Sequence, residues 1–128
     1  MRPQPLLCVN DVATSSLWYQ RNLGLDSGHG GSDYEQLCAA GEMVLQLHRW
    51  EAHGHAHLGD PAARPYGNGA VLWFLSEDFD AAVQRCRQHR AEILEGPLVN
   101  PNANHREIWL RDPDGYVVVI AGSSGDLG

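Results

Sequence analysis

Residues 105–121 read HREIWLRDPDGYVVVIA, two strand-forming runs on either side of a turn. In the turn, Pro113 fixes φ at the second position and Gly115 permits a positive φ. The flanking runs, His105–Leu110 and Tyr116–Ala121, are rich in β-branched and aromatic residues. This combination predicts a β-hairpin.

The first strand of this hairpin carries its polar residues on one face. Because side chains alternate across a strand, Ile108 and Leu110 are expected on one side, and His105, Glu107 and Trp109 on the other. Burial of a carboxylate and an imidazole is costly unless both have partners. A polar set on an inner face therefore indicates a pocket.

Outward from the hairpin, the chain repeats one order of elements. The second half is predicted as a strand at Gly69–Ser76, a helix at Phe79–His89 capped by Asp78, a short strand at Ala91–Glu95, a loop at Pro97–Asn104 and the hairpin. The first half is predicted as a strand at Gln4–Val9, a helix at Val12–Asn22 capped by Asp11, a loop at Asp26–Asp33, and strands at Tyr34–Ala40 and Met43–Trp50.

Aligning Asp11 with Asp78 sets strand end against strand end and helix against helix. On this alignment each half is interpreted as one βαβββ module, although the first half has one predicted strand fewer than the second. The sequence predicts an α+β fold in which two such modules pair into one curved sheet, with the helices outside and a cup inside. Glu51–Asn68, between the modules, has no clear period, and a loop of that length is usually functional or disordered.

Composition narrows the classes of partner. With 128 residues, the chain has the size of one domain. A net charge of −7 argues against nucleic acid and anionic membranes as partners, and favours cationic or neutral ligands. The odd number of cysteines, three, indicates buried thiols in a reducing compartment. No signal peptide or membrane-spanning apolar run is present, so a cytoplasmic protein is expected.

Three segments resemble the vicinal oxygen chelate superfamily, which includes glyoxalase I, bleomycin-resistance proteins, extradiol dioxygenases and fosfomycin-resistance enzymes. They are VNDVATSSLWYQRNLGL (Val9–Leu25), SEDFDAAVQRC (Ser76–Cys86) and REIWLRDPDGYVVVIA (Arg106–Ala121). The resemblance implies a single domain over residues 1–128, with modules at about 4–50 and 69–122 joined by the loop at 51–68. It also implies a cup-shaped half-barrel cavity and a homodimer.

Metal-dependent members of this superfamily place ligands at four strand positions, which match Gln4, Gln46, Val71 and Val119. Valine has no donor atom, and a catalytic divalent ion usually needs at least three protein ligands. We therefore expect no metal and no cofactor, and predict a protein that binds a small organic molecule, with sequestration of bleomycin-type antibiotics as one instance. The alternative is a divalent-metal-dependent lyase, isomerase or dioxygenase with an atypical ligand set.

Alternation from those four strand positions predicts the residues that line the cup. The polar and aromatic candidates are Gln46, His48, Trp73, His105, Glu107 and Trp109. Each has a structural alternative: Glu107 could pair with an arginine, the histidines could be structural, and the tryptophans could pack in the core. A third functional hypothesis is a cofactor-free enzyme that uses Glu107 with His48 or His105 as acid and base.

Two further histidine groups offer metal donors. His53, His55 and His57 alternate in the long loop, where they would share one side of an extended segment, or would simply be solvated. His48, His105 and Glu107 could form a two-histidine, one-carboxylate triad away from the usual positions. The residues leave both possibilities open.

Overall fold

The computed structural model describes residues 1–51 and 54–128. Its elements in chain order are β1 Leu6–Val9, α1 Val12–Leu23, β2 Asp26–His29, β3 Tyr34–Ala39, β4 Glu42–Arg49, β5 Leu72–Leu75, α2 Phe79–Gln88, β6 Glu92–Asn100, β7 His105–Arg111 and β8 Val117–Ala121. They form two compact units, Met1–Arg64 and Pro65–Gly128. Each unit has the order βαβββ, so the α+β class and the two modules are confirmed.

The first unit is a four-stranded sheet in the order β1-β4-β3-β2. β1 runs parallel to β4, and the other neighbours are antiparallel. α1 contacts β3 and β4. Leu37, Leu45 and Leu47 are fully buried, and Glu35 is in register with Leu47 while its carboxylate accepts a hydrogen bond from Ser16 of α1. These side chains therefore form the face that packs on the helix.

The second unit repeats this arrangement in the order β5-β8-β7-β6, with β5 parallel to β8. α2 contacts β7 and β8. The apolar residues of the helix-covered face, Ile108, Leu110 and Val118, have no exposed surface. Burial of each such side chain contributes about 1.5–3 kcal/mol, so this layer is a major stabilising part of the unit.

Both helices begin where the sequence predicted. The carboxylate of Asp11 accepts a hydrogen bond from the Thr14 amide at 3.0 Å, and Asp78 does the same for Ala81 at 3.0 Å. Such caps satisfy amide groups that have no partner within the helix. Gly24 ends α1 with φ of +70°, the left-handed conformation that glycine adopts without a steric penalty.

Two predicted loops were wrong in part, because each contains a strand. β2 lies inside the predicted loop Asp26–Asp33; it is an edge strand with every residue exposed, so no apolar alternation marks it. β6 continues through Pro97 to Asn100, inside the predicted loop Pro97–Asn104. The register of β6 shifts between Glu95 and Leu98, so the missing N–H of proline interrupts no regular ladder.

The three cysteines form no disulfide within residues 1–51 and 54–128. Burial raises the pKa of the Cys8 thiol, and burial likewise raises that of Cys86 to about 11. A thiol with a raised pKa is a poor nucleophile at neutral pH. In the described parts of the chain, neither helix combines the length and apolarity that a bilayer span requires.

Candidate functional site

The face of the second sheet that lies opposite α2 carries four of the six predicted pocket residues. Trp73 is in register with Val119, and Val119 with Trp109, so these three side chains share one face. Glu107 precedes Trp109 by two residues, and His105 precedes Glu107 by two. Because side chains alternate along a strand, both lie on the same face as Trp109. The structure brings these residues together, whereas their role in ligand binding stays a prediction.

Glu107 is the centre of this group. Its Oε1 accepts a hydrogen bond from the Trp109 indole Nε1 at 3.0 Å. Its Oε2 lies 2.9 Å from His105 Nε2 and accepts a bond from Asn100 Nδ2 at 3.3 Å. Only 4 % of the residue is exposed. The arginine partner considered from the sequence is wrong: among the described residues, an imidazole, an indole and an amide satisfy this carboxylate.

The hydrogen bonds keep Glu107 charged. Burial is the largest influence and raises the pKa of the carboxyl group, but the bonds from Trp109, His105 and Asn100 together outweigh it and lower the pKa below its usual range. Glu107 is therefore a carboxylate at neutral pH. The charged group is hydrogen-bonded to the His105 and Trp109 rings and is shielded from solvent.

The acid dependence of stability should show this arrangement. Because the pKa of Glu107 is lower in the folded than in the unfolded state, its contribution is present above the unfolded pKa and is lost as pH falls through the folded pKa. We expect the difference in free energy of unfolding between wild type and Glu107→Gln to shrink as pH falls from 7 to 3. Urea unfolding at several pH values measures it. A difference that stays constant would contradict the assignment.

A third aromatic ring, Trp73, lies beside the two rings that bond to the carboxylate. The Trp73 ring centroid lies 5.8 Å from that of His105 and 6.3 Å from that of Trp109, with the two indoles nearly perpendicular. Such edge-to-face distances are favourable for aromatic pairs. Trp73 is 49 % exposed, so plain core packing, the alternative considered for it, does not describe its surroundings.

The other two predicted residues, Gln46 and His48, lie in the first unit on the sheet face opposite α1. Gln46 uses both ends of its amide: Tyr34 Oη donates to Oε1, and Nε2 donates to the Gln4 carbonyl oxygen at 2.8 Å. His48 is buried, with Nδ1 2.8 Å from the Arg49 carbonyl oxygen. Its ring contacts Tyr34 and also His55, at a centroid distance of 4.9 Å.

The four positions that match metal ligands in the superfamily do not suit a metal. Val71 and Val119 offer no donor, and Gln46 has its amide engaged. Within residues 1–51 and 54–128, no three His, Cys, Asp or Glu side chains form a group that could hold an ion. The His48–His105–Glu107 triad draws on both units and stays a prediction. His53 lies outside the described residues, and the loop-histidine hypothesis, which also involves His55 and His57, stays a prediction.

Two residues of these groups were not found from the sequence. Asn100 falls in a stretch predicted as loop, yet it donates to Glu107 and also accepts bonds from the amides of Asn102 and Ala103 at the start of the β6–β7 turn. Tyr34 was recognised only as the first residue of a strand. Its register opposite His48 is the signal that could have placed it on the same face.

The loop between the modules forms a separate cleft of about 270 Å³ in the first unit. Its lining residues are Trp50, Glu51, Gly54, His55, Leu58, Gly59 and Pro61. None of the six predicted pocket residues lines it. Part of the predicted loop is therefore structured around a concavity of its own.

Several solved structures share this fold. TnmS3, an antibiotic binding protein from Streptomyces sp. CB03234, is 21% identical with 97% of each chain covered and a TM-score of 0.69. TioX from Micromonospora sp. ML1 is 16% identical, with 95% of this chain and 98% of that chain covered and a TM-score of 0.73. Virulence protein STM3117 from Salmonella typhimurium is 24% identical, with 96% of each chain covered and a TM-score of 0.70.

Because these three structures are less than 25% identical to this chain in sequence, their similarity shows a shared fold and nothing about function. A sequence search of the curated proteins found no match. The sequence profile of one family, in contrast, matches residues 3–120, which span both modules and include every residue of the Glu107 group. The chain therefore belongs to the Glyoxalase/Bleomycin resistance protein/Dioxygenase superfamily.

Proposed function

We propose that this protein binds a small, partly aromatic organic molecule without a metal ion, as an antibiotic-sequestering protein would. The observation that carries the proposal is the set of rings on the second sheet, Trp73, His105 and Trp109, two of which are held by the Glu107 carboxylate. A half-exposed indole beside two partly buried rings offers a surface on which a flat ligand can stack.

Charge favours the same class of ligand. The chain has a net charge of −7, and the carboxylate of Glu107 remains ionised beneath the rings. Negative potential next to aromatic faces attracts cations and disfavours anions. A neutral or cationic aromatic compound therefore fits this surface, and the fold shared with TnmS3, which is described as an antibiotic binding protein, is consistent with it.

The absence of a catalytic metal is part of the proposal and is supported by chemistry of the side chains. Val71 and Val119 cannot coordinate an ion, which leaves only two of the four superfamily positions with donor atoms. The competing metal-dependent lyase, isomerase or dioxygenase would need ligands elsewhere in the chain. No group among the described residues favours it.

A homodimer is proposed as the working form, with one domain per chain. This part of the proposal is supported by the family resemblance and by two exposed apolar residues, Leu75 of β5 and Val71 just before it. Sedimentation at micromolar concentration should give the mass of two chains. The mass of one chain would contradict this.

The cytoplasmic location and the lack of nucleic-acid partners stay predictions.

Ligand binding can be tested with Trp73→Ala. Bleomycin and a flat cationic dye, 9-aminoacridine, serve as probes, and binding is followed by calorimetry in buffer that contains EDTA. Loss of a central aromatic contact should lower the affinity of a bound probe by roughly tenfold or more. Trp18→Ala is the matched control, because Trp18 lies on α1 of the other unit, and it should bind as wild type does.

Two results would overturn the proposal. If Trp73→Ala binds a probe as tightly as wild type does, the ring surface is not part of the binding site. Binding that disappears in EDTA and returns with a divalent ion would show that the function depends on a metal.

A further inference from the structure

The neighbours of Glu107 occupy three of the roughly four acceptor positions of its carboxylate. Trp109 donates to one oxygen, and His105 and Asn100 engage the other, at distances of 3.0, 2.9 and 3.3 Å. With 4 % of its surface exposed, the carboxylate has little room for a further partner. Glu107 is therefore poorly placed to contact a ligand directly, although the sequence indicated it as a candidate for that role.

We propose that Glu107 acts through His105, by fixing the imidazole as the Nε2–H tautomer, so that Nδ1 becomes a hydrogen-bond acceptor for the ligand. A carboxylate only accepts hydrogen bonds, so the nitrogen 2.9 Å from it must carry the proton. In a neutral imidazole the other nitrogen then keeps its lone pair. Glu107 is a positioning residue in this arrangement, and His105 is the residue that determines specificity.

His105 Nδ1 is available for this role. It has no hydrogen-bond partner in residues 1–51 and 54–128, and 12 % of the His105 side chain is exposed. The ring lies 5.8 Å from Trp73, the most exposed of the aromatic rings at this face. A ligand stacked on Trp73 would therefore have the acceptor nitrogen close to its edge.

This geometry narrows the ligand class, on the basis of the proposed function. The ligand would be a planar aromatic compound with an O–H or N–H donor at its edge. A compound that offers only acceptors at that edge would leave Nδ1 unpaired on binding, and an unpaired buried polar atom is penalised. We therefore expect the protein to bind an aromatic compound with an O–H or N–H donor more tightly than the methylated analogue of that compound.

The tautomer can be read without any ligand. In 15N-labelled wild type at neutral pH, the long-range 1H–15N spectrum of His105 should show a protonated Nε2 and an unprotonated Nδ1. The opposite pattern, or two protonated nitrogens, would overturn the inference. This measurement needs no substitution, so it does not depend on whether a variant folds.

Glu107→Gln should reverse the tautomer. Trp109 Nε1 and Asn100 Nδ2 can only donate, and Trp109 is the closer of the two, at 3.0 Å against 3.3 Å. The introduced amide therefore turns its oxygen to Trp109 and its NH2 group to His105. The imidazole then accepts at Nε2 and carries its proton on Nδ1. Glu35→Gln is the matched control: Glu35 is also 4 % exposed and also accepts side-chain hydrogen bonds, but from Ser16 and Ser27 in the other unit. It should leave His105 unchanged, and reversal in both variants would contradict a specific role for Glu107.

The ligand arm compares 2-naphthol with 2-methoxynaphthalene, in which a methyl group replaces the hydrogen of the O–H donor. Wild type should prefer the naphthol by up to about tenfold, the contribution of one hydrogen bond, and Glu107→Gln should lose the preference. Equal affinities of wild type for the two compounds would overturn the inference while the proposed function stands. If no aromatic probe binds wild type, the proposed function itself is overturned, and the spectrum still decides the tautomer.

Discussion

Gly96→Ala is expected to lower the free energy of unfolding by about 2–5 kcal/mol. Gly96 has φ of +95°, a conformation that costs a residue with a Cβ atom about 1–2 kcal/mol. The added Cβ would also lie 2.7 Å from the Glu107 carbonyl oxygen and 3.1 Å from the Leu98 amide nitrogen. Both contacts are to backbone atoms of paired strands, which cannot rotate away. Urea unfolding at neutral pH measures the loss.

Gly125→Ala separates the steric part of this cost from the conformational part. Gly125 has nearly the same φ, +92°, but an added Cβ would meet nothing within 4 Å. Its substitution should therefore cost only the conformational share, about 1–2 kcal/mol. Equal losses for the two variants would mean that the β6 and β7 backbones separate easily at Gly96, and that the close approach is unimportant.

The contact at Gly96 also links the stability of the second unit to its candidate site. The atom that the new Cβ would meet is the carbonyl oxygen of Glu107 itself. The glycine therefore lets β6 approach the residue whose side chain holds His105 and Trp109. Nothing in the sequence identified this role, because the short strand was predicted to end at Glu95 and a loop to begin at Pro97.

Where local chemistry decides an element, the sequence was sufficient. Asp11 and Asp78 cap the helices as predicted, and Gly24 ends α1, because capping depends on a side chain and the few amides next to it. The hairpin at residues 105–121 was found for the same reason. Strand β2 was missed because its residues are exposed on an edge, where pairing with β3 replaces hydrophobic burial as the cause of its structure.

Alternation placed His105, Glu107 and Trp109 on one face, but it carries no information on which groups bond to each other. One of the three donors to the Glu107 carboxylate is Asn100. The structure places Asn100 opposite His105, on a strand that was predicted to end earlier. The sequence thus placed these three residues on one face and missed the reason why Glu107 is ionised there. The pairing of the two modules into a cup remains a prediction.

Asp112→Ala is expected to destabilise the protein by about 2–5 kcal/mol, from the loss of two buried acceptor contacts. The turn of the β7–β8 hairpin was predicted from Pro113 and Gly115, but the structure shows that the Asp112 side chain also holds it. Its Oδ1 accepts hydrogen bonds from the amides of Asp114 and Tyr116, each at 2.9 Å. Asp112 is 4 % exposed, so water cannot readily replace the carboxylate.

Asp112→Asn tests whether the hydrogen-bond acceptor or the negative charge of Asp112 stabilises the turn. Asparagine keeps the Oδ1 acceptor at the same position, so the two amides stay bonded and the loss of stability should be clearly smaller than that of Asp112→Ala. Thermal and urea unfolding of both variants, compared with wild type, measure the difference. If the two variants lose equal stability, the negative charge of Asp112, rather than the hydrogen bonds that its Oδ1 accepts, stabilises the hairpin.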